Sequence, residues 1–370
     1  RRGTVMVTIK EIAQKCGVSI ATVSNILNDK PNASEATRQR VLQVVKELNY
    51  TPNSIAKNLK LKKSQAIGVV AEDLTVFCTP GIIDGITQCC EERGYHVLLT
   101  NLRLYKKYQD AYYANDSFVK IVDKEIRELL SKQVDGIIYV TAHERILKKC
   151  LPEHLPVPAS MAYGYSKSAE YPSVAVDDKN GAYTLIRYLT ERGHRSIGVI
   201  TGKGESIHTH DRLLGYQKAL YDQKIFFDPD IVVEGDWKRE SGYQKTDYLL
   251  SKGVTAIFCM NDIMAGGVYD RLEERGILPG KDISVVGFDN RDLSNYYKPP
   301  LTTIALPLSS IGYTACRVVI DMIEQRERGE EETAPEKPGE VHEACRLLIR
   351  NSVVDLNPPE KKSGTEGNPG

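Results

Sequence analysis

The sequence predicts an all-α head followed by an α/β core whose parallel sheets divide into two lobes. Three observations carry this. The first 50 residues place apolar side chains at helical spacing and then break at Tyr50-Thr51-Pro52. From Ala66 onward, short apolar runs alternate with longer amphipathic stretches, the pattern of parallel strands covered by helices on both faces. Those runs are too many for one open sheet, so the core should split in two.

In the head, Ile9 to Cys16 reads as a short helix with Ile12 and Ala13 on its inner side. Gly17-Val18-Ser19 is a tight turn, because glycine takes the left-handed conformation that ends a helix. Ser19 can cap the next helix, Ile20 to Leu27, which buries Val23 and Ile26. Ser34 caps a third, running to about Leu48 with Val41, Leu42, Val45 and Leu48 inward. Asn53 to Lys60 can form one more short helix, followed by a basic linker to Ser64. In the core the strand candidates are AIGVV (66–70), HVLLT (96–100), GIIYV (136–140), IGVIT (197–201), AIFCM (256–260) and ISVVGF (283–288). GIIDGITQCCEERG (81–94) is a typical intervening helix. Residues 101–123 read as a tyrosine-rich excursion, 330–340 as an exposed connection and 358–370 as a disordered tail.

Composition narrows the class. With 370 residues, 41% hydrophobic and 26% charged, the chain suits a soluble protein of two or three domains. It has no apolar run near the roughly 18–20 residues of a bilayer span. Arg1 to Val7 is too short and polar for a secretion signal, so a cytoplasmic protein without membrane contact is expected. The 8 cysteines form no C-x-x-C pair and have no histidine at zinc-ligand spacing. Buried reduced thiols, with no metal and no cofactor, are the expectation. His208 and His210 form an H-x-H, read as a polar loop for want of a third ligand. The formal net charge of 0 hides an asymmetry. Residues 1–63 hold 12 Lys and Arg against 4 Asp and Glu, a +8 head on a −8 body, which suits a nucleic-acid-binding head.

The strongest motif is TIKEIAQKCGVSIATVSNILN (8–28). Ala13 lies where two helices approach, Gly17 in the turn, and Val23 and Ile26 close the core. This is helix-turn-helix spacing, which presents the second helix's N-terminus to a major groove. Ser19, Ile20, Ala21, Thr22, Ser24 and Asn25 are small or polar there, able to sit deep and to bond phosphates and base edges. A protein-interaction module of three helices is the bland alternative.

The head and VLQVVKELNYTPNSIAKNLK after it resemble the DNA-binding head and hinge of the lactose-repressor (LacI/GalR) family. RGHRSIGVITG (192–202), RLLGYQKAL (212–220), AIFCMNDIMAGGVYDRLEERGILPGKDISVVGFDN (256–290) and PPLTTI (299–304) resemble its effector-binding core, in order through nearly the whole chain. The resemblance implies a helix-turn-helix domain at 1–51, a hinge helix and linker at 52–64, a two-lobed periplasmic-binding-protein-like core at 65–355 and a disordered tail at 356–370. Lobe one would hold about 65–173 and 305–325. Lobe two would hold about 174–304 and 326–355, with crossings near Val174, Ile304 and Arg326 and a last strand at 344–350. It implies a homodimer on a near-palindromic double-stranded operator. Its affinity, as a repressor, would respond to a small molecule, with a sugar or sugar derivative expected. The tail lacks leucine heptads, so no coiled-coil tetramer is expected.

The family's contacts carry over as follows. Ile20, Ala21 and Asn25 align with base-reading positions, and Thr8, Ser19, Ser24, Asn28, Ser34 and Thr37 with phosphate contacts. Asn53, Ala56 and Leu59 align with minor-groove contacts, Leu59 as a wedge. Ile20 and Ala21 are apolar where many relatives are polar, which shifts weight to thymine methyls. Arg212 and Asp289 align with typical ligand contacts, Asn261 with a polar one and Trp237 with a stacking aromatic. Asp73 and Tyr163, each after a core strand, are further pocket candidates. Asp262 is read as the cap of the following helix. Three other functions compete with this one. An exported sugar-binding protein conflicts with the basic head. An enzyme finds no G-x-x-x-x-G-K-[ST], G-x-S-x-G or G-x-G-x-x-G motif. A protein corepressor remains compatible with the same head.

Overall fold

The computed structural model describes residues 7–31, 33–50, 64–109, 118–143, 145–147, 151–152, 154–166, 171–329 and 339–357. The chain forms two compact units, Arg1–Ser64 and Gln65–Gly370. The expected hinge with Asn53, Ala56 and Leu59, residues 330–338 of the expected 330–340 connection, Cys150 and the tail from 358 lie outside the described residues, and Glu340 already opens a strand.

The first unit holds α1 (Ile9–Cys16), α2 (Ile20–Leu27) and α3 (Glu35–Glu47). Thr8 and Glu11 close a capping box on α1, and Gly17 ends it at φ 61°. Ser19 and Ser34 accept the Thr22 and Thr37 amides. Ile12, Ala13, Cys16, Val23, Ile26, Val41 and Val44 form the core. Leu42, expected inward, is 40% exposed. The helical period from Val41 brings Val44 to the core and leaves Val45 and Leu48 half-buried at its margin.

The second unit begins with β1 (Ala66–Ala71), β2 (His96–Asn101), β3 (Gly136–Val140), β4 (Ile146–Leu147), β5 (Ala159–Ala162), β6 (Tyr165–Ser166) and β7 (Ser173–Val176). There follow β8 (Ile197–Thr201), β9 (Val232–Glu234), β10 (Ala256–Cys259), β11 (Ser284–Val286), β12 (Thr303–Ala305), β13 (Glu340–Glu343) and β14 (Arg346–Leu348). Lobe one is a six-stranded sheet in the order β13-β7-β5-β3-β1-β2, and lobe two a four-stranded sheet in the order β11-β10-β8-β9. All pairs in both are parallel. β12 pairs antiparallel with β14 and touches lobe two through the bridges Val286–Thr302 and Asp289–Ala305. β4 and β6 form a small parallel ladder beside lobe one.

The first crossing follows Val176, near the expected Val174, with β7 still paired in lobe one. One boundary differs from expectation. The third crossing is not near Arg326. The chain stays in lobe one through the helix Leu308–Glu327 and through β13, and crosses only at Ala344–Cys345. β13 fills the edge beside β7, whose backbone groups need partners. Its sequence, EVHE, has no apolar run to announce a strand.

Helices Cys78–Arg93 and Leu308–Glu327 cover one face of lobe one with their backbones in contact: a Cβ on Gly85 would lie 1.9 Å from the Ser309 carbonyl oxygen, and one on Gly312 1.9 Å from that of Ile82. Among the described residues, Cys16, Cys78, Cys89, Cys90, Cys259 and Cys316 are buried free thiols and Cys345 is half-buried. Among them no helix is long and apolar enough to cross a membrane.

Candidate functional site

The outer surface of α2 carries Ile20, 48% exposed, with Ala21 and Asn28 also exposed and Ser24 and Asn25 half-buried. Thr8, Ser19 and Ser34 are exposed beside it, and Thr22 and Thr37 are half-buried. The hydroxyls of Thr8, Ser19 and Ser34 cap their helices, which fixes the first-turn amides in the orientation an anion would meet. Val23 and Ile26 thus face inward on α2, and Ile20 faces outward with the small and polar groups.

The second site lies between the lobes of the core. Arg212, on the helix Ile207–Asp222, is 2% exposed. Its Nε donates to Asp178 Oδ1 at 2.7 Å, one terminal nitrogen donates to the Met260 carbonyl, and Asp289 Oδ1 is 3.6 Å away. The guanidinium lies 3.8 Å over the Phe288 ring and 5.8 Å from that of Trp237. One turn earlier, His208 Nδ1 meets Asp178 Oδ2 at 2.5 Å. Its Nε2 is 3.3 Å from the hydroxyl of Tyr163, which comes from lobe one. The imidazole stands edge-on to Trp237 at 6.5 Å. A second bridge between lobes places Arg291 4.2 Å over the Phe77 ring.

Burial and charge oppose each other here. Burial pushes the Asp178 carboxyl up, but Arg212 and His208 outweigh it and hold the group below the ordinary range. Asp289 has weaker compensation; burial, only partly offset by Arg212, leaves it at about 6. Burial, followed by the nearby Asp289, pushes Asp262 to about 8 although Thr303 and the Arg291 amide donate to it. The cleft therefore offers carboxylate acceptors, an arginine fork already bonded, an indole and a phenol. That set suits a polar ring rich in donors.

Sequence-predicted residues fall into three groups. Arg212, Asp289, Trp237 and Tyr163 converge on the cleft. Asn261 acts through the others: its Oδ1 caps the helix Asp262–Glu274 and its Nδ2 donates to the Trp237 carbonyl at 3.0 Å, holding that residue at φ 70°. The cap expected of Asp262 therefore belongs to Asn261, and Asp262 is a buried carboxyl in the helix's first turn. Asp73 accepts from the Thr75 amide and hydroxyl and from the Lys106 amide, organising the turn after β1 within lobe one.

Asp178 and His208 were missed. The HTHDR segment, read as a polar loop, opens a helix. His208 and Arg212, four apart, therefore share one face. That spacing was the available signal. The link to Asp178 joins separate elements and leaves no local trace.

Residues 8–53 match the family described as bacterial regulatory proteins, lacI family, and residues 186–353 match a periplasmic binding protein-like domain. The HTH-type transcriptional repressor PurR of Vibrio parahaemolyticus serotype O3:K6 is 31% identical over 95% of this chain and 100% of its own length. PurR of Escherichia coli O139:H28 is 33% identical over 95% and 98%. The crystal structure of the lac repressor dimer bound to operator and the anti-inducer ONPF superposes with a TM-score of 0.71 at 29% identity, covering 95% of this chain and all of that one.

Proposed function

This chain belongs to the lacI family of bacterial regulatory proteins, and from that we propose that it is a DNA-binding transcriptional repressor whose operator affinity is set by a small molecule bound between the lobes of its core. The relatives are repressors, not enzymes. The observation that carries the reading is the pairing, in one chain, of a helix-turn-helix face with a cleft built on Arg212, Asp289, Trp237 and Tyr163. Ile20, Ala21 and Asn25 would read bases, with Thr22 beside them on α2. Thr8, Ser19, Ser24, Asn28, Ser34 and Thr37 would hold phosphates, and the hinge residues Asn53, Ala56 and Leu59 would enter the minor groove. One small head buries too little surface for tight specific binding, so a homodimer on a near-palindromic site is expected. The lac repressor structure, a dimer on its operator, supports that arrangement.

The effector is read as a sugar or sugar derivative. Asp178 and Asp289 accept from hydroxyls and Trp237 offers an apolar face to a ring. The indole suits a nucleobase equally, so the test includes both. The full-length protein is used to select an operator from random duplexes. Its melting temperature is then followed with D-ribose, D-glucose, their phosphates, hypoxanthine and guanine. One ligand should raise the melting temperature and change operator affinity in the same concentration range. Selection that enriches no sequence would remove the DNA-binding reading. A purine as the only hit would replace the sugar.

A further inference from the structure

The cleft contacts above give no role to a carboxylate of lobe one that accepts four hydrogen bonds. Glu72 follows β1 and is fully buried. Its Oε1 accepts from the Tyr139 hydroxyl at 2.8 Å and from Arg145 Nη2 at 2.5 Å. Its Oε2 accepts from the Ala142 amide at 2.8 Å and from Arg145 Nη1 at 2.9 Å. Four donors in a low-dielectric setting make this carboxylate a fixed point.

Arg145 passes that fixity on, because its carbonyl accepts the Tyr165 amide at 3.0 Å. On the other side the Thr141 hydroxyl donates to the Tyr163 carbonyl, and the Tyr163 amide donates to the Val174 carbonyl at 2.8 Å. Gly164 lets the two segments close: a Cβ there would lie 2.6 Å from Thr141 Cγ2. Tyr163 is thus clamped at φ 65°, a strained conformation for a residue with a Cβ.

We propose that the buried Glu72–Arg145 ion pair is a positioning device that holds Tyr163 in this conformation, so that its hydroxyl reaches His208 and forms the lobe-one wall of the cleft. The proposal rests on the reading of that cleft as the effector site. Neither Glu72 nor Arg145 touches the Arg212 cluster through any contact described above; they act through Tyr163. An apolar pair would fill the space as stably but would not fix one orientation.

The test uses the full-length protein and its only tryptophan. Trp237 lies edge-on to His208, and a protonated imidazole quenches a neighbouring indole. Emission is followed between about pH 5 and 8 for wild type, Tyr163→Phe, Arg145→Met, Arg145→Lys and the double variant Tyr163→Phe/Arg145→Met. His208→Gln is the baseline, removing the imidazole's share from that of Asp178, Asp211, Asp289, Arg212 and the other groups that face it. Tyr163→Phe should shift the midpoint by about half a unit to one unit, the scale of one lost hydrogen bond. Arg145→Met should shift it in the same direction, the double variant no further, and Arg145→Lys should restore part of it. Glu72→Gln gives the same comparison should Arg145→Met fail to fold. The proposal is overturned if Arg145→Met and Glu72→Gln keep the wild-type midpoint, or if Tyr163→Phe moves nothing. A ligand panel without a hit would remove the effector reading and leave this result standing.

Discussion

Arg212 is the residue on which the charge balance of the cleft turns. It is the counter-ion of Asp178, both being buried, and lies 3.6 Å from Asp289, whose side chain is 7% exposed. Arg212→Ala leaves two carboxylates without that charge, and breaking a buried pair from one side costs about 3–5 kcal/mol. Calorimetry should therefore show a melting temperature lowered by several degrees or more, together with loss of the effector response. A variant that melted like wild type would show that the pair is not a net support. Two other groups set opposite slopes with pH. Burial raises Asp262 from 3.8 to about 8, so its contribution is full below pH 3.8 and is lost as pH rises towards about 8. Burial lowers His194, whose Nε2 meets the Val354 carbonyl and the Ser284 hydroxyl, so its contribution is full above 6.5 and is lost as pH falls below it. Asp262→Asn should flatten the fall in melting temperature from about pH 4 to about 8 and leave the profile below pH 3.8 unchanged. An unchanged slope across that window would contradict the buried-acid assignment.

Helix ends and helix crossings decide stability at the next scale. Ser19 and Ser34 each cap a helix of the head, and replacing either by alanine should cost about 1 kcal/mol in urea unfolding. If Ser19 also holds a phosphate, Ser19→Ala should weaken operator binding beyond what the equally destabilised variant of a cap with no phosphate contact would show. In lobe one, the contact of Cys78–Arg93 with Leu308–Glu327 leaves no room for a methyl group at Gly85 or Gly312. Gly312→Ala should destabilise the core by about 1–3 kcal/mol, read from the denaturation midpoint at unchanged slope. Wild-type stability would mean that the helices separate freely there.

Across the whole molecule, a head carrying +8 is joined to a body carrying −8. Operator affinity should therefore fall steeply with added salt, and mixing with non-specific DNA should show the same slope at weaker affinity. Sedimentation at micromolar concentration should show a dimer. A stable monomer, with and without DNA, would count against the paired-operator arrangement. Leu59→Ala, at the expected wedge, should lower operator affinity and bend more than it lowers non-specific affinity, with circular-permutation gel shifts as the bend measurement.

The parts of this protein that were legible in its chain are those governed by neighbours in sequence. Ser19 and Ser34 announce helices because a cap acts over three residues. AIGVV, IGVIT and AIFCM announce buried strands because parallel strands covered on both faces are apolar throughout. Arg212 and Asp289 came from family resemblance on the stretches 212–220 and 256–290, and Trp237 from the same resemblance between them. Tertiary structure decided the rest. β13 exists because the edge of β7 was open, and its own side chains do not ask for burial. Tyr163 was expected in the pocket from its place after a strand, but its partners Asp178 and His208, and the pair Glu72 and Arg145, come from separated segments whose meeting composition and periodicity do not announce. The division follows from the range of the forces: caps and hydrophobic periods act within a few residues, whereas a buried charge finds its partner only after the sheets have brought distant strand ends together.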